Sequence, residues 1–192
     1  MAMSGSSASG RAGRPISPDT TAAILAAARS LVVVHGFAAV TTAMIAAEAG
    51  ASKQALYRRW TTKADLVLEA FLAQAQAEVD DPAAAEAGDD RLLAFLRRTC
   101  AALSTSGPAL RSLMAAAQED DAFRRRFHER LILPRRAALR AVLAEERPAA
   151  STEALDLAVT ALFGAIWYRL LLDEPLDDEL ARDLAAFVRA GL

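Results

Sequence analysis

The residues between 52 and 63 combine types that can hold and read a polyanion. Ser52, Lys53 and Gln54 come first, then Tyr57, Arg58 and Arg59, then Thr62 and Lys63. Cations and hydroxyls at this density suit phosphate oxygens, which are charged and accept hydrogen bonds. Gln54 adds a second capability. Its amide can pair with N6 and N7 of adenine together, a contact worth roughly 1–3 kcal/mol of base discrimination. The segment therefore has side chains to grip a nucleic-acid backbone and to read an A·T pair.

Other chemistries lack their groups. Cys100 stands alone, so no disulfide closes within one chain. With only His35 and His128 beside it, no zinc set has workable spacing. Two histidines leave little acid–base capacity near neutral pH, and no nucleophile–base pair or glycine-rich phosphate loop is legible. The expectation is a protein that is not an enzyme, with no metal and no cofactor.

The elements that must position residues 52–63 are written in caps and glycines. Ser17-Pro18-Asp19 starts a first helix, Ile24, Ala28, Leu31 and Val32 repeat at its spacing, and Gly36 closes it. Thr41 or Thr42 caps a short second helix holding Met44, Ile45 and Ala49, which stops at Gly50. Ser52 caps the run Lys53 to Trp60, and Thr62 caps a long helix from Lys63 to about Asp80 with Asp65 at the reciprocal position. Two short helices joined by a tight glycine turn, behind a longer support, make a helix-turn-helix. Such a unit sends the N-terminal residues of its second helix to base edges in the major groove. That assigns base reading to Ser52, Lys53 and Gln54, with Tyr57, Arg58 and Arg59 following. Thr41, Thr42, Thr62 and Lys63 sit at helix starts, where amide N–H groups favour phosphate. Arg14, with Arg11, is placed to reach a minor groove from the leader.

Composition sets the frame. Of 192 residues, 47 are Ala and only 11 are aromatic, which argues for an all-α protein of about nine helices. The net charge of −2 conceals a split, because residues 1–66 carry seven bases against three acids, a net +4, leaving −6 for the rest. A basic head on an acidic body points the head at an anion. We read residues 1–15 as a disordered leader, 16–66 as the helix-turn-helix head and 67–192 as a helical ligand-binding and dimerisation body. The Gly/Ser-rich start is no secretory signal, and the apolar stretch from Leu157 to Leu172 falls short of a bilayer and carries Arg169. A cytoplasmic protein with no membrane partner is expected.

Beyond an acidic break at 80–90, helices are predicted near 90–104, 108–118, 120–146, 153–172 and 177–190. Pro108, Pro148 and Pro175 mark their ends, and Pro134 is expected to kink the third. Arg124, Arg125, Arg126 and Arg130 read as partners for the local acids Glu119, Asp120, Asp121 and Glu129. The 153–172 helix is apolar nearly all round, with Leu155, Val159, Leu162, Ile166 and Leu170 in one stripe. Leu180, Leu184 and Phe187 offer a matching face, which predicts a four-helix homodimer interface across a two-fold axis.

The stretch from Thr41 to Leu66 resembles the DNA-binding signature of the TetR-type transcriptional repressors. Thr42, Ile45-Ala46, Ala49-Gly50, Ser52, Leu56-Tyr57 and Lys63 match in register, and Leu162-Phe163-Gly164-Ala165-Ile166-Trp167-Tyr168-Arg169-Leu170-Leu171 resembles the penultimate helix of one subgroup. Trp60 stands where that family usually has Phe, Ala51 where it has Val, and Gln54 where it has a small residue. The resemblance implies an Ω-shaped homodimer that binds double-stranded DNA at a palindromic operator. It also implies release by a small molecule held in the body. Candidate pocket residues are Phe71, Phe95, Leu103, Met114 and Phe127, with Gln74, Gln118 and His128 as polar anchors in a mainly apolar site. The competing readings are a helical-bundle enzyme and a protein-binding adaptor with no DNA role.

Overall fold

The computed structural model describes residues 18–79 and 90–191. Arg14, Arg11, the expected leader and most of the acidic break lie outside them, as does the side chain of Gln74. The described residues form nine α-helices and one π turn: α1 (Pro18–His35), α2 (Thr42–Glu48), α3 (Lys53–Tyr57), α4 (Lys63–Val79), α5 (Arg91–Glu119), α6 (Asp121–Phe127), a π turn (His128–Ile132), α7 (Leu133–Glu146), α8 (Thr152–Leu171) and α9 (Asp178–Gly191). Both glycine stops hold: Gly36 and Gly50 have φ of +79° and +61°, a conformation that costs an L side chain but not glycine.

Two apolar cores divide the molecule. The first gathers α1 to α4 around Ile24, Val32, Ile45, Leu56, Trp60 and Leu66. The second packs α7, α8 and α9 around Leu139, Leu143, Leu162, Ile166 and Leu180. α5 belongs to both. Its N-terminal half gives Leu92, Leu96 and Cys100 to the second core, and its C-terminal half gives Ala109, Leu113 and Ala117 to the first. Leu110 packs against each.

Pro108 was expected to separate two helices, yet α5 runs through it for 29 residues. Proline removes one backbone bond and crowds the preceding turn, at a cost of about 3 kcal/mol in a helix interior. Here Pro108 is solvent-exposed, and both flanks of the helix are anchored in different cores. The turn before it is bound by hydroxyls: Ser104 donates to the carbonyls of Cys100 and Ala101, and Ser106 to Ala102 at 2.6 Å. Gly107 lets α8 come close, because a Cβ there would lie 2.6 Å from Leu170 Cδ1.

Pro134 likewise produces something other than a sharp kink. The π turn absorbs it: the Leu133 N–H reaches back five residues to the His128 carbonyl, and α7 begins with Pro134 in its first turn. At the far end of the body, Asp90 caps α5 through the Leu93 N–H and pairs with Arg189, which also donates to Glu146 at 2.6 Å. The hydrogen bond from Arg189 holds the Asp90 carboxyl below its usual range.

The expected dimer residues need correction. Leu155, Val159, Leu162, Ile166, Leu170 and Leu180 are buried within their own chain, and Leu184 packs partly buried against the same core. A side chain already covered has no surface to offer a second chain. Only Phe187, 68% exposed, remains available. The opposite face of α8 is the open one: Leu157, Gly164, Tyr168 and Leu171 recur at helical spacing and are all exposed. α8 is long and apolar enough to cross a membrane by length and composition, but its other face is the centre of the second core.

Leu162→Ala should lower unfolding free energy by about 2–5 kcal/mol in a urea titration, because the site is fully enclosed and cannot collapse. Burial pushes the Cys100 thiol up to about 11. The native protein should therefore leave Ellman's reagent unreacted at pH 8, while the denatured chain titrates one thiol.

Candidate nucleic-acid interface

α2 and α3 are short, so tertiary packing rather than propensity must hold them. Ile45 and Ala46 of α2, with Ala55 and Leu56 of α3, supply the buried side of the pair. The turn between them is closed by two backbone bonds, Gly50 N–H to Ala47 and Ala51 N–H to Ala46. Thr41 rather than Thr42 is the cap of α2, its Oγ1 accepting from the Met44 N–H at 3.2 Å. The Ser52 hydroxyl caps α3 by accepting from Ala55 at 3.2 Å.

With one side buried, the other side of α3 faces solvent. Ser52, Lys53, Gln54, Tyr57 and Arg58 are all exposed. Tyr57 is 59% exposed, an unusual place for a large ring, and its hydroxyl lies 2.9 Å from Thr42 Oγ1. That contact ties α2 to α3 on the outer surface. These residues form one continuous polar and aromatic face with two cations, Lys53 and Arg58.

Two expected phosphate ligands have partners within the protein, Lys63 partly buried and Arg59 still exposed. The Lys63 ammonium donates to the carbonyls of Phe37 at 2.7 Å and Val40 at 2.8 Å, and sits 4.2 Å from the centre of the Phe37 ring. Burial lowers its pKa. Carbonyls left over after α1 ends need donors, and Lys63 supplies them. Arg59 donates to Thr21 Oγ1 at 3.3 Å, pairs with Glu69 at 3.5 Å and lies over the Trp60 ring. Thr62 and Asp65 form the expected reciprocal cap, with the Thr62 hydroxyl donating to Asp65 Oδ2 at 2.9 Å. Beneath this surface Trp60 is buried, and its indole N–H finds no acceptor among the described residues.

Asp65 does more than cap. Arg126 of α6 donates to both its carboxylate oxygens, at 2.7 and 3.1 Å, a bidentate pair across 61 residues of sequence. Arg130 in the π turn meets Glu69 at 3.6 Å. Arg124 pairs locally with Asp121 as expected, but these two arginines reach α4 instead.

A cavity of about 460 Å³ opens at the seam between the two cores. α1 and α4 contribute Arg29, Val33, Leu68 and Phe71, while α5 lines it from Arg98 to Leu113. Leu131, Arg135, Phe163 and Trp167 close the far side. Of the expected pocket residues, Phe71 and Leu103 line this space. Met114, Gln118, Phe127 and His128 line a smaller hollow of about 230 Å³ that shares Trp167. Phe95 packs against the second core instead. Sequence reasoning missed Arg29, Arg98, Arg135, Phe163 and Trp167. The one available signal was Arg29, set between Leu25 and Val33 at one-turn spacing on an otherwise apolar stripe.

The profile described as "Bacterial regulatory proteins, tetR family" matches residues 24–70, and that described as "Tetracyclin repressor-like, C-terminal domain" matches residues 87–188. The HTH-type transcriptional regulator YdeS of Bacillus subtilis (strain 168) is 31% identical over 176 residues, covering 90% of this chain and 89% of that protein. Among solved structures, the TetR family transcription regulator SCO0332 superposes with a TM-score of 0.73 at 30% identity, covering 91% of this chain and 98% of that one. The multidrug binding protein EbrR, solved with imidazole, shares the fold with a TM-score of 0.60 at 23% identity, over 90% of this chain and 96% of that one.

Asp65→Asn should destabilise the protein by roughly 1–3 kcal/mol in denaturant titration, since Arg126 loses its charged acceptor. The two neighbouring arginines should separate in thermal melts. Arg59→Ala lowers Tm because it removes contacts to α1 and α4, whereas Arg58→Ala leaves Tm unchanged.

Proposed function

The chain belongs to the TetR family of helix-turn-helix transcriptional regulators, and from that premise we propose that it is a homodimeric repressor of a palindromic operator, released by a small apolar effector. It is a DNA-binding regulator, and what the proposal adds is the geometry of contact, the dimer and the sense of regulation. Residues 16–66 act as the reading head and 67–192 as the sensing and dimerising body, in the cytoplasm. The single observation that carries the reading is the seam: the cavity is walled by α1 of the head and by α4, α5, the π turn, α7 and α8 of the body.

Lys53 and Gln54 meet base edges from the start of α3, with Ser52 beside them. Tyr57 and Arg58 reach the backbone, flanked by Thr41, Thr42 and the start of α4 at Thr62. Lys63 chiefly holds the loop after α1, while the exposed Arg59 both braces the head and stands beside Arg58 within reach of the backbone. Leu157, Gly164, Tyr168 and Leu171 of α8, with Phe187 of α9, form the two-fold interface. Two recognition helices then sit about 34 Å apart, one turn of B-DNA.

Release follows from shared walls. A ligand that fills the seam changes the spacing of α1 and α4 against α5, and a shift of the two heads spoils their match to successive grooves. The ion pairs Asp65–Arg126 and Glu69–Arg130 join α6 and the π turn to α4, which begins beside α3, and carry the displacement there.

Electrophoretic shift with an inverted repeat from the DNA flanking the coding sequence tests the core of this reading. Retention should fall steeply with salt. Gln54→Ala should relax preference at one base pair of each half-site by about 1–3 kcal/mol, and unchanged relative affinities for all four bases would remove the adenine contact. Leu157→Glu combined with Phe187→Glu should give a monomer by light scattering that no longer holds the repeat, and a double variant that remains dimeric would move the interface elsewhere.

A further inference from the structure

The cavity at the seam carries a charge pattern that an apolar effector alone does not explain. Arg29 of α1, Arg98 of α5 and Arg135 of α7 all line it, and no Asp or Glu does. Arg29 and Arg135 are half-buried, while Arg98 is exposed. Arg29 makes no side-chain hydrogen bond or ion pair among the described residues, whereas Arg98 and Arg135 also have contacts of their own. The remaining lining is chiefly aliphatic, aromatic and alanyl. Its hydroxyls at Thr99 and Ser106 are spent on the carbonyls of Phe95 and Ala102 in their own helix.

We infer that the effector is an amphipathic monoanion, an apolar body carrying one carboxylate or comparable acidic group, seated with that group among Arg29, Arg98 and Arg135. The inference rests on reading the cavity as the effector site. A neutral apolar guest would take water from the half-buried Arg29 guanidinium and return no acceptor, and a cationic guest would add repulsion among the three arginines. A carboxylate accepts two parallel hydrogen bonds from a guanidinium fork, and each guanidinium has five donors to give. The three arginines stand on three helices, one in the head and two in the body. An anion shared among them ties α1 to α5 and α7, so the charge that gives affinity also acts at the seam between head and body.

The test compares three probes of matched chain length on the full-length protein: octanoate, 1-octanol and octylammonium, titrated by calorimetry with tryptophan emission, to which Trp60 and the cavity-lining Trp167 contribute, as a second readout. Octanoate should bind at least about tenfold more tightly than octanol, and octylammonium more weakly than either. Arg29→Gln and Arg135→Gln should each cut octanoate affinity by about tenfold while leaving octanol binding in place. Circular dichroism melts check that each variant folds, and either one alone suffices should the other not. Equal affinity for all three probes, or a carboxylate preference that survives both substitutions, overturns the anionic effector and leaves the cavity as a neutral apolar site. Binding of none of the three overturns this inference together with the effector reading of the cavity.

Discussion

Everything in this fold depends on one helix belonging to two cores. α5 is 29 residues long, and its two halves are buried against different sets of neighbours. Because a helix is stiff along its axis, neither core can move relative to the other without moving or bending α5. The cost of that sharing is visible at its middle. Pro108 gives up a backbone bond there, Gly107 gives up a side chain so that Leu170 can approach, and serine hydroxyls bond back to the helix carbonyls. The cavity lies along this stretch, where packing is interrupted and the neighbours change.

The head shows how charge is divided between shape and recognition. Four of its cations lie within eleven residues of sequence, from Lys53 to Lys63. Lys63 bonds two carbonyls, and Arg59, though exposed, bonds Thr21 and Glu69, so both help to fix the angle of α4 against α1. Lys53 and Arg58 stay in solvent. Asp65, part of a helix cap in sequence terms, is also the anchor of Arg126 from the body. A half-buried bidentate pair of this kind is retained where geometry matters, since exposed pairs contribute little.

The legible part of the sequence was local. The helix starts near Thr41 and at Ser52, the glycine stops at positions 36 and 50, and the pairing of α2 with α3 are all decided within four or five residues, so a linear reading can find them. What escaped was decided across distance. Pro108 looked like a boundary because its local cost is real, but two cores hold the helix straight through it. The arginine cluster 124–130 looked self-paired because acids stand next to it, while Arg126 and Arg130 find theirs in α4. On α8 both faces are apolar. Periodicity alone could not say which face turns inward, and Leu162 went in while Leu157 stayed out. Lys63 matched a motif in type and spacing and Arg59 stood in the basic reading segment, yet their side chains also answer needs of the loop after α1, of α1 and of α4 that no local pattern displays.

The preference for arginine over lysine has a chemical corollary. Among 22 basic residues only Lys53 and Lys63 carry a primary amine on the side chain. Lys63 holds two backbone carbonyls and has its basicity reduced by burial, whereas Lys53 stands exposed at the tip of α3. Acylating reagents and acyl-transfer enzymes that act on side-chain amines therefore have two candidate targets in the chain, of which Lys53, at the start of α3, is the more exposed. Loss of the charge on Lys53 would leave the cores and the cavity untouched, because its side chain takes no part in either.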